Sequence, residues 1–476
     1  MKRMNANPVR GWVSTVVVVI ALLVVTTVCA PSQATNGTGS LAAAETSYYA
    51  YVACESEDEV VLIRLVAPED GDARLEVAKR IRVGIYDLEI EGPHGLGVSP
   101  DGKHWYLSIA HGRPYGILYK YTTGDDQLVD EVELGMFPAT MQISAATGLL
   151  HIVNFNLHGG HEPSTVSIVD PEEMVELMQI PQGIMPHGSR FSPDGLKHYS
   201  MSMMTDELFE IDAVDLAVTR TLNVHTGEGQ MRMKHDSHAH DGEHAHGEQT
   251  HADHAKHGDH GAGAADHKHG DGDAKQHDGK QHGDAHKQHG DEKQADQKSS
   301  DQKHGDHQHA TTHDQHAQHD PELQHDGHHH AMAKPTWVQM HPTKPLAYVA
   351  NNGANEVVEI NLDEWKITRR FPTGKGPYNV EVTPDGTKFV VTYKSDAATG
   401  IWDIESGKEL ARVENSRKVP HGIAITPDSR FAIVTVEGIG GEPGGVDAID
   451  LKTLKRVDVA DVGKQAGGIA FWKMEE

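Results

Sequence analysis

The sequence predicts an all-β protein, a seven-bladed β-propeller. Three observations predict it. A short motif occurs seven times, neighbouring copies lie roughly 42 to 48 residues apart except at one interruption, and each copy is flanked by alternating apolar runs.

The clearest copies start at Gly92-Pro93-His94-Gly95, Met185-Pro186-His187-Gly188 and Val419-Pro420-His421-Gly422. Weaker copies start at Pro138, Pro335 and Pro377, and a last one runs from Ala466 to Phe471. Each begins a short strand and reaches a tight turn of the type Pro100-Asp101-Gly102, where Pro fixes φ and Gly accepts positive φ. A second strand follows, as in Tyr348-Val349-Ala350-Asn351, and a third ends on Ile-Asp or Val-Asp, as in Val169-Asp170. The chain opens on second-strand text, Tyr49 to Cys54, and closes on first-strand text. The two ends are therefore expected to share one blade, which removes the free sheet edges.

The predicted organisation has four parts. Residues 1–34 form a targeting segment, with Lys2, Arg3 and Arg10 preceding an apolar run from Trp12 to Val28. Residues 46–224 and 334–474 carry the propeller, and residues 225–333 interrupt it. The leader is read as cleaved after Ser32-Gln33-Ala34, kept as an anchor, or lipidated at Cys29. Each alternative places the body in the periplasm or outside the cell, with the membrane engaged only through this segment. The chain has two cysteines, Cys29 and Cys54, and Cys29 lies in the leader region, so no disulfide is expected in the folded body.

The insertion holds 26 of the 36 histidines, mixed with Asp, Gly, Lys and Gln. Its apolar content is too low for a core, so it is expected to be disordered. Units such as His257-Gly258-Asp259-His260 and His328-His329-His330 offer imidazole beside carboxylate, a composition suited to zinc, copper and nickel. A solvated low-complexity linker is the alternative. The net charge of −28 argues against nucleic acid as a partner.

The residue after each motif proline starts an innermost strand at one mouth of the central channel. In ring order these residues are His94, Ala139, His187, Thr336, Tyr378, His421 and Gly467. Second strands end at the same mouth and bring His111, His158, His161, Met203, Met204 and Glu437, with Cys54 and Glu55 from the N-terminal strand. Three imidazoles around an axis make a metal-site composition. The candidate ligands are His94, His187, His421, His111, His158 and His161, and the expected ion is copper or zinc. The alternative is that Pro-His-Gly serves only to start the strand. His104, His151, His198 and His341 occupy turn or strand-start positions and read as structural.

The motif with Tyr-Val-Ala-Asn in its second strand resembles the YVTN-repeat β-propellers of microbial envelopes. More distantly it is similar to the propeller domain of nitrous oxide reductase, whose channel histidines hold a copper cluster. The resemblance implies the fold. The chain lacks a cupredoxin-like second domain and has histidine at only three of the seven channel positions, so that enzyme's activity is not implied. Three functions fit the residues: an extracytoplasmic metal-binding propeller, a metal-dependent oxidoreductase or lactonase-like hydrolase, and a surface scaffold for another envelope protein.

Overall fold

The computed structural model of the chain describes residues 45–69, 71–84, 90–110, 116–160, 162–231 and 332–476. The targeting segment, His111, His161 and most of the histidine-rich insertion lie outside the described residues.

Seven antiparallel sheets form the seven blades of a propeller. The first blade is Pro93–Val98, His104–Ile109, Ile117–Thr122 and Leu128–Glu133. The second is Pro138–Ile143, Leu150–Asn154, Pro163–Asp170 and Val175–Ile184. The third is Pro186–Phe191, Lys197–Ser202, Glu207–Asp212 and Ala217–Asn223, with a short fifth strand, Gly229–Met231, at its outer edge. The next three blades have inner strands Pro335–Met340, Pro377–Val382 and Pro420–Ile425. In the seventh, the C-terminal strand Ala466–Glu475 pairs with the N-terminal strand Glu45–Cys54. The ends of the chain close the ring as the sequence text anticipates.

The Pro-His-Gly motif has a specific mechanical role. The residue just before each inner strand has positive φ, between 49° and 69°, at Gly92, Phe137, Met185, Lys334, Gly376, Val419 and Gln465. For a β-branched residue such as Val419 this backbone is strained, at a cost of about 1–2 kcal/mol. The carbonyl of each of these residues accepts a hydrogen bond of 2.8–3.1 Å from the amide just past the second strand of the same blade. The donors are Ala110, Phe155, Met203, Asn352, Lys394, Glu437 and Glu55. A β-bulge follows, visible as the register shift between Pro93 and Leu96 or between Pro420 and Ile423. It turns the residue after the proline toward the axis.

The glycine in the motif meets the neighbouring blade. A Cβ on Gly95 would stand 1.7 Å from the carbonyl oxygen of Ala139. Hydroxyls bridge the same joints: Ser108 Oγ accepts from the Gly95 amide and donates to the Ala139 carbonyl, and Thr435 Oγ1 does the same between Gly422 and Gly467. Thr140 Oγ1 donates to the carbonyl of His187 at 2.5 Å. The mouth residues are thus tied to one another around the ring.

Neighbouring blades pack through facing second strands. Tyr51 stacks on Trp105 at 5.0 Å, and Tyr348 meets Phe389 at 5.4 Å. Between the second and third blades the corresponding pair is His151 and His198, 4.7 Å apart. Both are fully buried, and none of their four ring nitrogens has a hydrogen-bond partner among the described residues. Phe191 covers both rings. Burial lowers the His151 pKa to about 3 and holds His198 well below its ordinary value, with the charges of His151 and Arg190 adding to the effect on His198. These two histidines, read from the sequence only as structural residues at turn or strand-start positions, are apolar packing partners between two blades.

Neutral in the fold, they take up protons in the unfolded chain below pH 6.5. Stability is therefore retained above pH 6.5 and lost as pH falls toward 3, by up to about 1.4 kcal/mol per pH unit for each histidine. A His198→Leu variant is expected to show a shallower loss when urea unfolding is followed from pH 7 to pH 4. An unchanged slope would show that the pair is not held neutral.

Candidate metal centre at the channel mouth

The structure brings three of the six sequence-predicted ligands together. His94, His187 and His421 surround the axis, and Tyr378 joins them. Ring centroids lie 6.2 Å apart for His94–His187, 5.3 Å for His187–Tyr378, 4.7 Å for Tyr378–His421 and 6.1 Å for His421–His94. Four rings therefore close around one opening. His158 is exposed, with its ring 5.5 Å from Phe137, which itself lies 5.1 Å from His94. It stands at the rim of this quartet, and His111 and His161 fall outside the described residues.

Hydrogen bonds fix the tautomers of two of the imidazoles. His187 Nδ1 lies 3.2 Å from the Thr336 carbonyl, which only accepts, so Nδ1 carries the proton. Its Nε2 is then a lone-pair nitrogen, and it accepts the Tyr378 hydroxyl at 2.9 Å. His94 Nδ1 lies 3.3 Å from Glu55 Oε2, and Gln465 Nε2 donates to the same oxygen at 3.0 Å. In the neutral ring the carboxylate likewise holds the proton on His94 Nδ1, which puts the lone pair on Nε2. A carboxylate or a backbone carbonyl behind a histidine is the second-shell arrangement that orients metal ligands. The third imidazole differs. His421 is buried, its Nδ1 has no partner among the described residues, and its Nε2 is 3.9 Å from Glu437 Oε1.

The protonation states also suit ligation. Desolvation lowers the His187 pKa to about 3, and the charges of His94 and Lys394 act in the same direction. Desolvation, then Lys394, His94 and His187, hold His421 well below its ordinary value. Both rings are neutral at pH 7, as metal binding requires.

One charged residue at the mouth was not anticipated from the sequence. Lys394 Nζ sits 3.7 Å from the centre of the Tyr378 ring and 2.9 Å from Glu437 Oε1. Burial opposes its charge, but Glu437 and Tyr378 outweigh burial and raise its pKa above the ordinary lysine value. Its position follows the rule that places Glu55 and Glu437, one residue past the end of a second strand. Applied to all seven blades, that rule finds it.

Cys54 does not join this group. It is fully buried in an apolar cluster with Val52, Val61 and Phe431, and its pKa is pushed up to about 12 by burial and then by Glu59. Met203 packs with Phe137 and Phe155 at the edge of the mouth.

Among the described residues, no three His, Cys, Asp or Glu side chains converge on one point. With nitrogens about 2.0–2.1 Å from zinc, imidazole centroids in a tetrahedral set stand roughly 5 Å apart. The histidine separations of 6.1 and 6.2 Å are wider, so ligation requires the rings to move inward. The residues suit a metal by donor type, and their separations do not match one.

No protein-family model matches the sequence, and no curated protein matches it. Among solved structures, a functionally unknown protein from Desulfotomaculum acetoxidans is similar with a TM-score of 0.53 at 11% identity, covering 89% of this chain and 98% of the other. Hydrazine synthase from Kuenenia stuttgartiensis is similar with a TM-score of 0.47 at 14% identity, covering 78% and 80% of the two chains. At these identities the likeness is one of fold.

The Lys394–Glu437 pair gives a direct test of the electrostatics. With the lysine side chain a quarter exposed, Lys394→Met is expected to cost about 1–2 kcal/mol by leaving the carboxylate without its cation. Adding Glu437→Gln is expected to recover most of the loss. Additive single effects in chemical denaturation would show that the two groups do not interact.

Proposed function

We propose that this protein is an extracytoplasmic metal-binding propeller of the YVTN-repeat kind, holding one copper or zinc ion at the channel mouth. The observation that carries the reading is the orientation of His94 and His187. Each donates its Nδ1 proton to a fixed acceptor, Glu55 Oε2 or the Thr336 carbonyl, and so keeps Nε2 for a ligand. His421 supplies a third buried imidazole. The ion would also satisfy its Nδ1 if it bound there. Glu55 and Glu437 add carboxylates beside the rings and favour a cation.

The histidine-rich insertion has a different part in this reading. Its many equivalent units provide numerous weak sites that raise the local supply of metal. It rejoins the propeller at Ala333 and Lys334, whose amides donate to the Asp206 carboxylate, directly before the inner strand that bears Thr336. Capture along the insertion would thus feed a site that lies beside its C-terminal end. The apolar N-terminal run supports placement in the periplasm or outside the cell, where such capture has a use. A metal-dependent enzyme remains the second reading, favoured by Lys394 and Tyr378 standing next to the imidazoles.

The test uses the full chain. Protein loaded with excess zinc is dialysed against a chelator strong enough to strip the insertion. About one equivalent is expected to remain, and His94→Ala/His187→Ala/His421→Ala is expected to retain none. Tyr378→Phe removes the hydroxyl that caps His187 Nε2, and it is expected to bind zinc severalfold more tightly in competition with the chelator. Equal retention by the wild type and the triple variant would overturn the assignment.

A further inference from the structure

The channel holds a cavity of about 40 Å³. Its lining is two-sided. The seventh, first and second blades contribute Gly468, Leu96 and Met141, which are small or apolar, while the fourth, fifth and sixth contribute Trp337, Asn379 and His421. Each of the latter three carries a buried polar atom without a hydrogen-bond partner among the described residues: Trp337 Nε1, Asn379 Oδ1 and His421 Nδ1. A buried polar group left unpaired costs more than an ordinary hydrogen bond contributes. Three of them, from consecutive blades on one small cavity, indicate an occupant that supplies their partners.

The order of donors and acceptors selects that occupant. Trp337 Nε1 only donates, so it needs an acceptor. His421 is neutral, held so by desolvation first and then by Lys394 and the other imidazoles. Its Nε2 lies 3.9 Å from Glu437 Oε1, and the carboxylate favours the proton on that nitrogen, which leaves Nδ1 as an acceptor. A Cβ on Gly467 would stand 3.7 Å from His421 Nδ1 and meet nothing closer, so the space beside this nitrogen is open. Asn379, on the blade between Trp337 and His421, sets an acceptor and two donors side by side. The guest therefore needs an acceptor at one end and a donor at the other. Its charge follows from the same lining. Arg190 Nη2 lies 2.6 Å from Glu381 Oε1, and Lys394 Nζ lies 2.9 Å from Glu437 Oε1, so an anion would find both nearby cations engaged. A cation would leave the Trp337 N–H without an acceptor. At about 10–15 Å³ per water-sized occupant, the cavity takes roughly three non-hydrogen atoms.

We propose that this cavity binds a small uncharged primary amide of formamide size. Its carbonyl accepts from Trp337 Nε1, its NH₂ donates to His421 Nδ1, and Asn379 pairs with the edge between them. The apolar side of the guest lies against Leu96 and Met141. The site is made by side chains of this chain and needs no ion on the imidazoles. Sugars, peptides and nucleotides are excluded by volume. No bond in the guest is made or broken.

The test follows the Trp337 indole N–H by NMR in the full chain, dialysed against a chelator so that no metal contributes. Its signal is assigned by its loss in Trp337→Phe. Formamide is the probe, and it is expected to shift this signal saturably with a Kd on the order of 1 mM, the range open to so small a ligand, while the other indole signals stay in place. Sodium formate has the same shape but carries a charge and no N–H for His421, and it is expected to bind about tenfold more weakly. Asn379→Leu keeps the bulk and removes the hydrogen-bonding atoms, and it is expected to raise the formamide Kd about tenfold. A shift that does not saturate, or that all indoles share, would overturn the site and leave the three polar atoms to ordered water. Formate binding as tightly as formamide would overturn the ligand class, and that comparison on the wild type needs no variant to fold. An unchanged Kd in folded Asn379→Leu would overturn the pairing with Asn379.

Discussion

The mouth of this propeller depends on one backbone hydrogen bond made seven times. In every blade the carbonyl of a left-handed residue accepts the amide that follows the second strand. The bond offsets the strain of that backbone and locks two positions beside each other, the residue after the proline and the donor itself. Two positions per blade are thereby brought side by side at the same end of the inner strands. The scaffold fixes where they are, and the sequence is free to choose what they are. Here the choices cluster: imidazoles at three blades, a phenol at a fourth, and charged groups at Glu55, Lys394 and Glu437.

That clustering gives the mouth an unusual electrostatic character. His187 and His421 are neutral because they are desolvated, with the neighbouring imidazoles and Lys394 acting in the same direction. The carboxylates stand behind or beside the rings. Neutral nitrogens in front and fixed acceptors behind form a donor set prepared for a soft or borderline cation. The same neutral state arises between the second and third blades at His151 and His198 without a carboxylate hydrogen-bonded to either ring. The two places contrast usefully. At the seam the imidazoles pack as hydrophobes, whereas at the mouth two of them are held in a defined tautomer by named partners. Desolvation alone does not separate the two cases, and hydrogen bonding does.

Much of this was legible in the sequence because the propeller repeats. The motif spacing gave seven blades, and ring closure followed from the matching text at Tyr49–Cys54 and Ala466–Phe471. His94, His187 and His421 could be placed on the axis because their register within the motif is identical. Lys394 escaped because its neighbourhood, Thr392-Tyr393-Lys394-Ser395, reads as ordinary strand end and turn. Only the donor position in the repeated hydrogen bond marks it. The bulge and the left-handed residues were illegible for a different reason. Phe137, Met185, Lys334, Val419 and Gln465 are not residues that prefer positive φ, and tertiary closure imposes it on them. The pairing of His151 with His198 is likewise a contact between blades, which no local pattern encodes. The partnering of Glu55 with His94 joins the first and seventh blades across the ring closure and is equally long-range.

The central claim is that the ion sits on Nε2 of His94 and His187. Anomalous diffraction at the zinc edge from zinc-loaded crystals of the full chain tests it most directly. The account predicts a single strong peak on the channel axis, within bonding distance of both nitrogens and next to His421. Anomalous density confined to other parts of the molecule, with the four rings unmoved and the Tyr378 hydroxyl still on His187, would contradict it.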